Sequence, residues 1–294
     1  MATARSSRVG AGAVFVVALV VAALALSNSH SHLPAPNVGS GCMVSSDQFD
    51  VPLTTGQAGI AATIAGVASR HRLPVRAVTI AYATALQESD LQNLPYGDRD
   101  SVGIFQQRPS QGWGTRAELL NPVYATTRFF RALVAIPGYR KLPVYQAAQD
   151  VQRSADGSAY SQYEGQGEVM AAGFAGWQGR KVWCWYGEGV GNSRRGQLKT
   201  AGHDLKSAFG SLLVGHVGDP IMTVRVRNHA VGWSVAFWLV AHADAYRINE
   251  VHFAGYQWTA AQGHHGWIKE RPRERRQRRR GRHWPSARLT VAFG

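Results

Sequence analysis

The chain has 294 residues, 45% of them hydrophobic, which is enough to build a core for two modest domains. Thirty-two basic residues against 18 acidic ones give a formal charge of +14, of which the +6 outside residues 269–288 is ordinary for a protein working beside an anionic wall or membrane surface. A single long apolar run and two cysteines without Cys-x-x-Cys spacing exclude a multi-span transporter and a thiolate metal site. That run, residues 10–26, follows Arg5 and Arg8 and predicts an export signal or one anchor helix in the cytoplasmic membrane. Ala23-Leu24-Ala25 would serve as a cleavage site. Cleaved or retained, the segment sends the rest out of the cytoplasm, because the positive flank stays inside. Residues 27–41, rich in Ser, His, Pro, Asn and Gly, read as a tether, so 1–41 form an anchor and tether.

Ile60, Ile64, Val67 and Ala68 give one apolar face to a predicted helix over 57–71. Leu73-Pro74 breaks it, and Pro74 suits the first turn of the next helix. There Val75, Val78, Tyr82 and Leu86 recur every three or four residues. Glu88 lies on another face, with Ala77, Ala81 and Thr84, whose small size lets a neighbouring segment approach closely. This helix is nearly all apolar and should be central. Residues 93–114 read as loop. Thr115 with Glu118 forms a capping box, and Asn121-Pro122 starts a helix with Val123, Thr127, Phe130 and Val134 on one stripe. Pro137-Gly138 ends it, Pro143 opens a helix to about Ser154, and a further helix covers 158–174.

Residues 186–218 read as a linker interrupted by a short amphipathic helix, with Leu205, Phe209 and Leu212 at spacings of four and three. Beyond it, 221–227 alternate as a strand, 231–246 suit a helix, 250–253 and 256–258 form a hairpin across Ala254-Gly255, and 288–293 suit a last strand. The expected class is α+β. A mainly helical domain spans 42–185, and a small α+β accessory domain spans 219–294 with an Arg-rich insertion. Residues 269–288 carry +8 of the charge: Lys269, eight arginines from Arg271 to Arg282 and Arg288, against Glu270 and Glu274. The run reads as a solvated segment, and no specific nucleic acid is expected as a partner.

Glu88 is the chemically informative residue. A carboxylate in an apolar helix is costly unless paired or neutral. A carboxyl kept neutral near pH 7 is a general acid for glycosidic cleavage. The competing reading is an ion pair with Arg99 or Arg108. The order Tyr82 to Ser89, a loop, then Ser101-Val-Gly103-Ile-Phe-Gln106-Gln107 resembles the lysozyme-like lytic transglycosylases of the soluble-lytic type. The stretch from Tyr96 to Pro109 also resembles a cell-wall hydrolase domain of secreted proteins from high-GC bacteria. The likeness covers residues 74–112 and fades beyond about 165.

The resemblance implies a lysozyme-like fold and peptidoglycan glycan strands as substrate, with Glu88 as single acid and base. It implies that Ser89 orients the acid and that Ser101, Gln106 and Gln107 line the sugar cleft. No second carboxylate is needed, because the substrate's N-acetyl group attacks the anomeric carbon and a 1,6-anhydro sugar results. The family's downstream Ala-Tyr-Asn segment, whose Tyr faces the Glu, has no counterpart. Gln152 or Tyr160 takes its place.

Asp98 and Asp100 are candidates for a second carboxylate in a hydrolase, although Asp in such a loop usually fixes a turn. Tyr96, Trp113 and Tyr124 are candidates for stacking on sugars and equally for core packing, with Trp113 favouring the cleft from its loop position. Cys42 and Cys184 are expected to bridge in an exported chain. No cofactor is expected, and His30, His32, His264 and His265 are too scattered for a metal site. The alternative function is a non-catalytic cell-envelope binding protein that keeps the cleft.

Overall fold

Capping chemistry sets the first helix. Thr54 Oγ1 accepts from Gln57 N–H while Gln57 Oε1 accepts from Thr54 N–H at 2.9 Å, which starts α1 (Thr55–Arg70). The structure, a computed structural model, describes residues 39–153, 157–187, 197–216, 221–271 and 288–293. The apolar run 10–26 and most of the basic run lie outside them. Among the described residues, no helix is long and apolar enough to cross a membrane.

Pro74 is the cap before α2 (Val75–Ser89), one position ahead of the first-turn place expected for it. The Thr115–Glu118 box opens α3 (Arg116–Leu119), and Asn121 Oδ1 accepts two backbone N–H groups at the start of α4 (Pro122–Ala135). After Pro143 comes α5 (Val144–Gln152). The single helix predicted over 158–174 is two, α6 (Ser158–Ser161) and α7 (Glu164–Phe174), parted at Gln162–Tyr163. Gly167 lets α7 approach α2 closely, since a Cβ there would sit 3.1 Å from Thr79 O. At 100° per residue, Thr79 and its neighbour Ala83 lie on the far side of α2 from the Ala77–Ala81–Thr84 face.

Two antiparallel sheets complete the α+β fold. The first comprises β1 (Gly41–Val44), β2 (Val51–Leu53) and β3 (Val182–Trp185), in the order β2-β1-β3. Cys42 and Cys184 stand directly opposite in the β1–β3 ladder, fully buried, and form the expected disulfide. The second part of the chain contributes α8 (Leu198–Phe209), β4 (Leu213–His216), β5 (Ile221–Arg225), α9 (His229–Ala241), α10 (Ala243–Tyr246), β6 (Ile248–Phe253), β7 (Tyr256–Thr259), β8 (Ile268–Lys269) and β9 (Arg288–Phe293). Its strands order as β4-β5-β9-β6-β7-β8. The Arg-rich run thus joins an edge strand to a central one. The helix predicted over 231–246 divides into α9 and α10 at His242.

The two parts share one core. α9 is apolar on every side and buries Trp233, Phe237 and Trp238. It docks on α1, where Gly59 makes room: a Cβ there would lie 3.2 Å from His242 Nε2. Two turns on, a Cβ on Gly66 would lie 2.8 Å from the Phe209 ring of α8. Residues 39–294 accordingly gather into one compact unit, and the predicted linker 186–218 carries a helix packed on α1. The outer edge of β3 is covered by indoles. Trp258 Nε1 donates to Cys184 O at 2.9 Å, and Trp267 Nε1 donates to Val182 O at 2.7 Å.

His242 makes the docked core sensitive to acid. Its ring stacks on Trp238 at 4.2 Å between centroids, and burial pushes its pKa down to about 4. The unfolded chain takes up the proton nearer pH 6.5. Between those values the unfolded state binds more protons, so stability falls as pH drops. Part of the residue still reaches water, which limits the loss to about 2 kcal/mol. A thermal midpoint that declines from about pH 6.5 toward 4, with the decline blunted in His242→Gln, is the expected result. An unchanged decline in that variant would assign it to other groups.

The β6–β7 hairpin turns on Ala254 (φ 53°) and Gly255 (φ 83°), both left-handed. Asn or Gly suits such a turn, whereas Ala at positive φ costs roughly 1 kcal/mol. Ala254→Asn is expected to add roughly 0.5–1 kcal/mol in urea unfolding. A lower midpoint would mean the Ala methyl packs usefully.

Candidate functional site

Glu88 occupies the last turn of α2 and is half-buried rather than enclosed in the apolar interior. The helix stops just beyond it, because Asp90 (φ 52°) and Leu91 (φ 55°) both turn left-handed and return their N–H groups to Leu86 O and Ala85 O. Full burial of Leu91 holds this costly backbone in place. The carboxyl is thereby left at the point where the helix, the 93–107 loop and α6 meet.

Tyr160 of α6 donates its hydroxyl proton to Glu88 Oε1 at 2.7 Å. The phenol is buried, 3% exposed, so it is a fixed donor and not a surface contact. A neighbouring bond, Gln162 Nε2 to Gln87 Oε1 at 3.2 Å, ties α6 to the same turn of α2. The ion pair that would have made Glu88 an ordinary surface carboxylate is not formed. Arg99 faces Asp98 at 3.8 Å and Arg108 faces Asp100 at 2.8 Å. Among the described residues, Glu88 Oε2 accepts no hydrogen bond.

The loop is shaped by a short Val102–Gln107 bridge with N–H···O distances of 3.0 and 3.1 Å. Gly103 (φ 80°) is required at its bend, since a Cβ would lie 2.5 Å from Leu119 O. Asp100 pins the outer side, accepting from Arg108 Nε at 2.8 Å, Ser110 N–H at 2.7 Å and Ser110 Oγ at 3.0 Å. The Arg108 guanidinium, with the Ser110 bonds, holds its carboxyl well below the usual carboxylate range. Asp100 is therefore a turn-fixing anion and no proton donor, and Asp98 is exposed.

The remaining predicted site residues separate into two groups. Ser89 does not hydrogen-bond Glu88: its single hydroxyl proton lies between Ile104 O at 2.8 Å and Ala85 O at 3.1 Å, fastening the loop to the helix end. Gln107 points inward, 2% exposed, with Nε2 donating to Ala125 O at 3.4 Å, so it lies in the core and not on a cleft wall. Ser101 is also buried. Gln106 (φ 46°) turns its amide back to Gly103 O at 3.1 Å and Tyr96 O at 3.3 Å, and Gly97 leaves the space for it. Gln152 Nε2 donates to Phe105 O at 2.7 Å, bracing the loop from α5.

Of the aromatics, Tyr96 is 68% exposed at the loop tip. Trp113 is half-buried beside Tyr124 and lines a cavity of about 460 Å³ with Arg128, Arg131 and Asp150, which Glu88 does not line. Tyr160 is thus the residue that the structure brings to Glu88, and Ser89, Gln106 and Gln152 position the loop beside it. Among the described residues, no group of three His, Cys, Asp or Glu side chains converges as a metal site.

One cluster had no signal in the sequence. His252 is 5% exposed on β6, with Nδ1 2.8 Å from Glu270 Oε1 and Nε2 2.9 Å from Glu250 Oε2. Only the alternation of β6 and its pairing bring these residues together.

Chemically, the Glu88 arrangement is a carboxyl with one oxygen fixed by a neutral donor and the other available for proton exchange. No protein-family model matches the chain, and no curated protein matches its sequence.

Proposed function

We propose that the chain is an exported peptidoglycan lytic transglycosylase, with a lysozyme-like fold over 42–185 and Glu88 as its acid and base. The observation that carries this reading is the Tyr160 O–H···Oε1 bond at 2.7 Å. It gives Glu88 a tyrosine partner, as the catalytic Glu has in the resembling family, and no cation competes for the carboxyl among the described residues.

In the proposed reaction, Glu88 Oε2 protonates the glycosidic oxygen between N-acetylmuramic acid and N-acetylglucosamine as the bond to the anomeric carbon breaks. The substrate's N-acetyl oxygen forms the new bond to that carbon. The resulting carboxylate then takes the proton of the C6 hydroxyl, whose oxygen displaces the N-acetyl oxygen and closes a 1,6-anhydro ring. Tyr160 keeps Oε1 occupied in both halves, so the proton leaves and returns at one atom. Both oxygens of Asp100 already accept from Arg108 and Ser110, so it is not free to serve as the ionised base or nucleophile of a two-carboxylate hydrolysis, which favours a single-carboxylate mechanism.

A second reading, a peptidoglycan-binding protein without turnover, is favoured by the Gln106 and Gln152 amides, which are spent on backbone carbonyls. Incubation of the chain with peptidoglycan and mass analysis of the soluble products separates the two. Anhydro-muropeptides support the transglycosylase. Reducing-end products would make it a hydrolase, and bound sacculi without release would make it a binder.

A further inference from the structure

A cavity of about 920 Å³ opens where the C-terminal end of α1, the end of α8 and the last residue of β5 come together. Its lining includes Arg70, Arg72, His203, Lys206, Arg225 and Arg227, and no carboxylate among the described residues. Two of these side chains are braced. Arg70 Nη1 donates to Ser207 O at 3.0 Å, and Arg227 Nη2 donates to Ser69 O at 2.7 Å. Arg72, Lys206 and Arg225 form no ion pair with a described carboxylate. The field extends to His71 next door, whose pKa is lowered by burial and then by Arg70 and Arg131. Like charges around one hollow repel one another, so the arrangement costs stability unless an anion fills it.

The chemistry of the lining narrows the ligand. Planar guanidinium forks match phosphate oxygens in pairs, and a Lys adds a point charge. The volume exceeds what one phosphate needs and suits several in a row. Phe209, 3% exposed, is closed to stacking, which leaves the exposed His203 imidazole as the one aromatic ring of the lining that a nucleic-acid base could reach, a poor platform for successive bases. We propose that this trough binds a linear, non-aromatic polyanion whose charges are phosphates, with Arg70 and Arg227 as preset contacts and Arg72, Lys206 and Arg225 as the contacts that close on it. The site is separate from Glu88 and stands whether or not Glu88 is catalytic.

The test uses the full chain and a medium-length inorganic polyphosphate, with oligo-deoxythymidine of equal charge as the comparison, in a binding titration at several salt concentrations. Arg72→Gln, Lys206→Gln and Arg225→Gln together should weaken polyphosphate binding by about tenfold or more and reduce the salt slope by about 2. These side chains are exposed, and removing their mutual repulsion should hold or raise the thermal midpoint of the free protein, which separates lost contacts from lost fold. Arg72→Lys with Arg225→Lys keeps the charge but loses the paired guanidinium contacts, so it should weaken binding less than the triple variant does. The Arg271–Arg282 run also attracts anions, so the titration is repeated with its eight arginines changed to Gln. The effect of the cavity substitutions should persist there. Equal binding by the triple variant, or loss confined to the run variant, overturns the proposal. Oligo-deoxythymidine binding as tightly as polyphosphate overturns the ligand class and makes the trough a nucleic-acid site.

Discussion

Glu88→Gln should reduce release of soluble muropeptides from peptidoglycan by about a thousandfold or more, with the thermal midpoint unchanged. The amide has the shape of the carboxyl, and its oxygen can still accept from Tyr160, so the α2–α6 contact survives. What it lacks is a proton to give and a site to take one back. Tyr160→Phe is the companion experiment. It removes one hydrogen bond to the carboxyl and leaves the acid present, so a drop of roughly tenfold to a hundredfold is expected, smaller than that of Glu88→Gln. A larger drop from Tyr160→Phe than from Glu88→Gln would make the phenol the proton carrier. Full activity in Glu88→Gln would move the chemistry to another residue altogether.

Cys42→Ser with Cys184→Ser carries the largest expected cost in stability. The bridge spans 142 residues, and closing a loop of that length stabilises by roughly 5 kcal/mol in the chain-entropy view. For a chain of this size that is a fall in thermal midpoint of roughly 10–20 °C. Both sulfurs are fully buried, so mild reductant should leave the folded protein unchanged and act only after unfolding. A midpoint lowered by only a degree or two would show that sheet pairing alone fixes β1 on β3.

Much of the local architecture was legible because caps and turns act through neighbours in sequence. The Thr115–Glu118 box, Asn121, Pro143 and the Ala254–Gly255 turn all sit where expected. The shared core was not legible, for a physical reason. Gly59 and Gly66 admit α9 and α8 by what they lack, and a missing Cβ leaves no periodicity to read. Residues 186–218 therefore read as a linker with a short helix in it, and nothing in their pattern says that the helix packs on α1.

At the site, sequence pattern marked Glu88 and narrowed its partner to Gln152 or Tyr160. It could not choose between them, because that depends on how α6 breaks from α7 and sets the phenol 72 residues away against α2. The resemblance sets Gln107 beside Gln106 as a cleft residue, whereas it lies in the core. A register in which one glutamine turns out and the next turns in is fixed by the Val102–Gln107 bridge and not by residue type.

The indoles of Trp258 and Trp267 have a consequence for how this protein behaves in company. An exposed edge strand grows by recruiting another strand, which must both donate and accept along its length. Each indole satisfies one β3 carbonyl and offers nothing in return, so the ladder ends there. A product cut near residue 186 would lose both caps and leave the Val182 and Cys184 carbonyls open to copies of itself. Such a fragment is a candidate for self-association through β3, however well its helices pack.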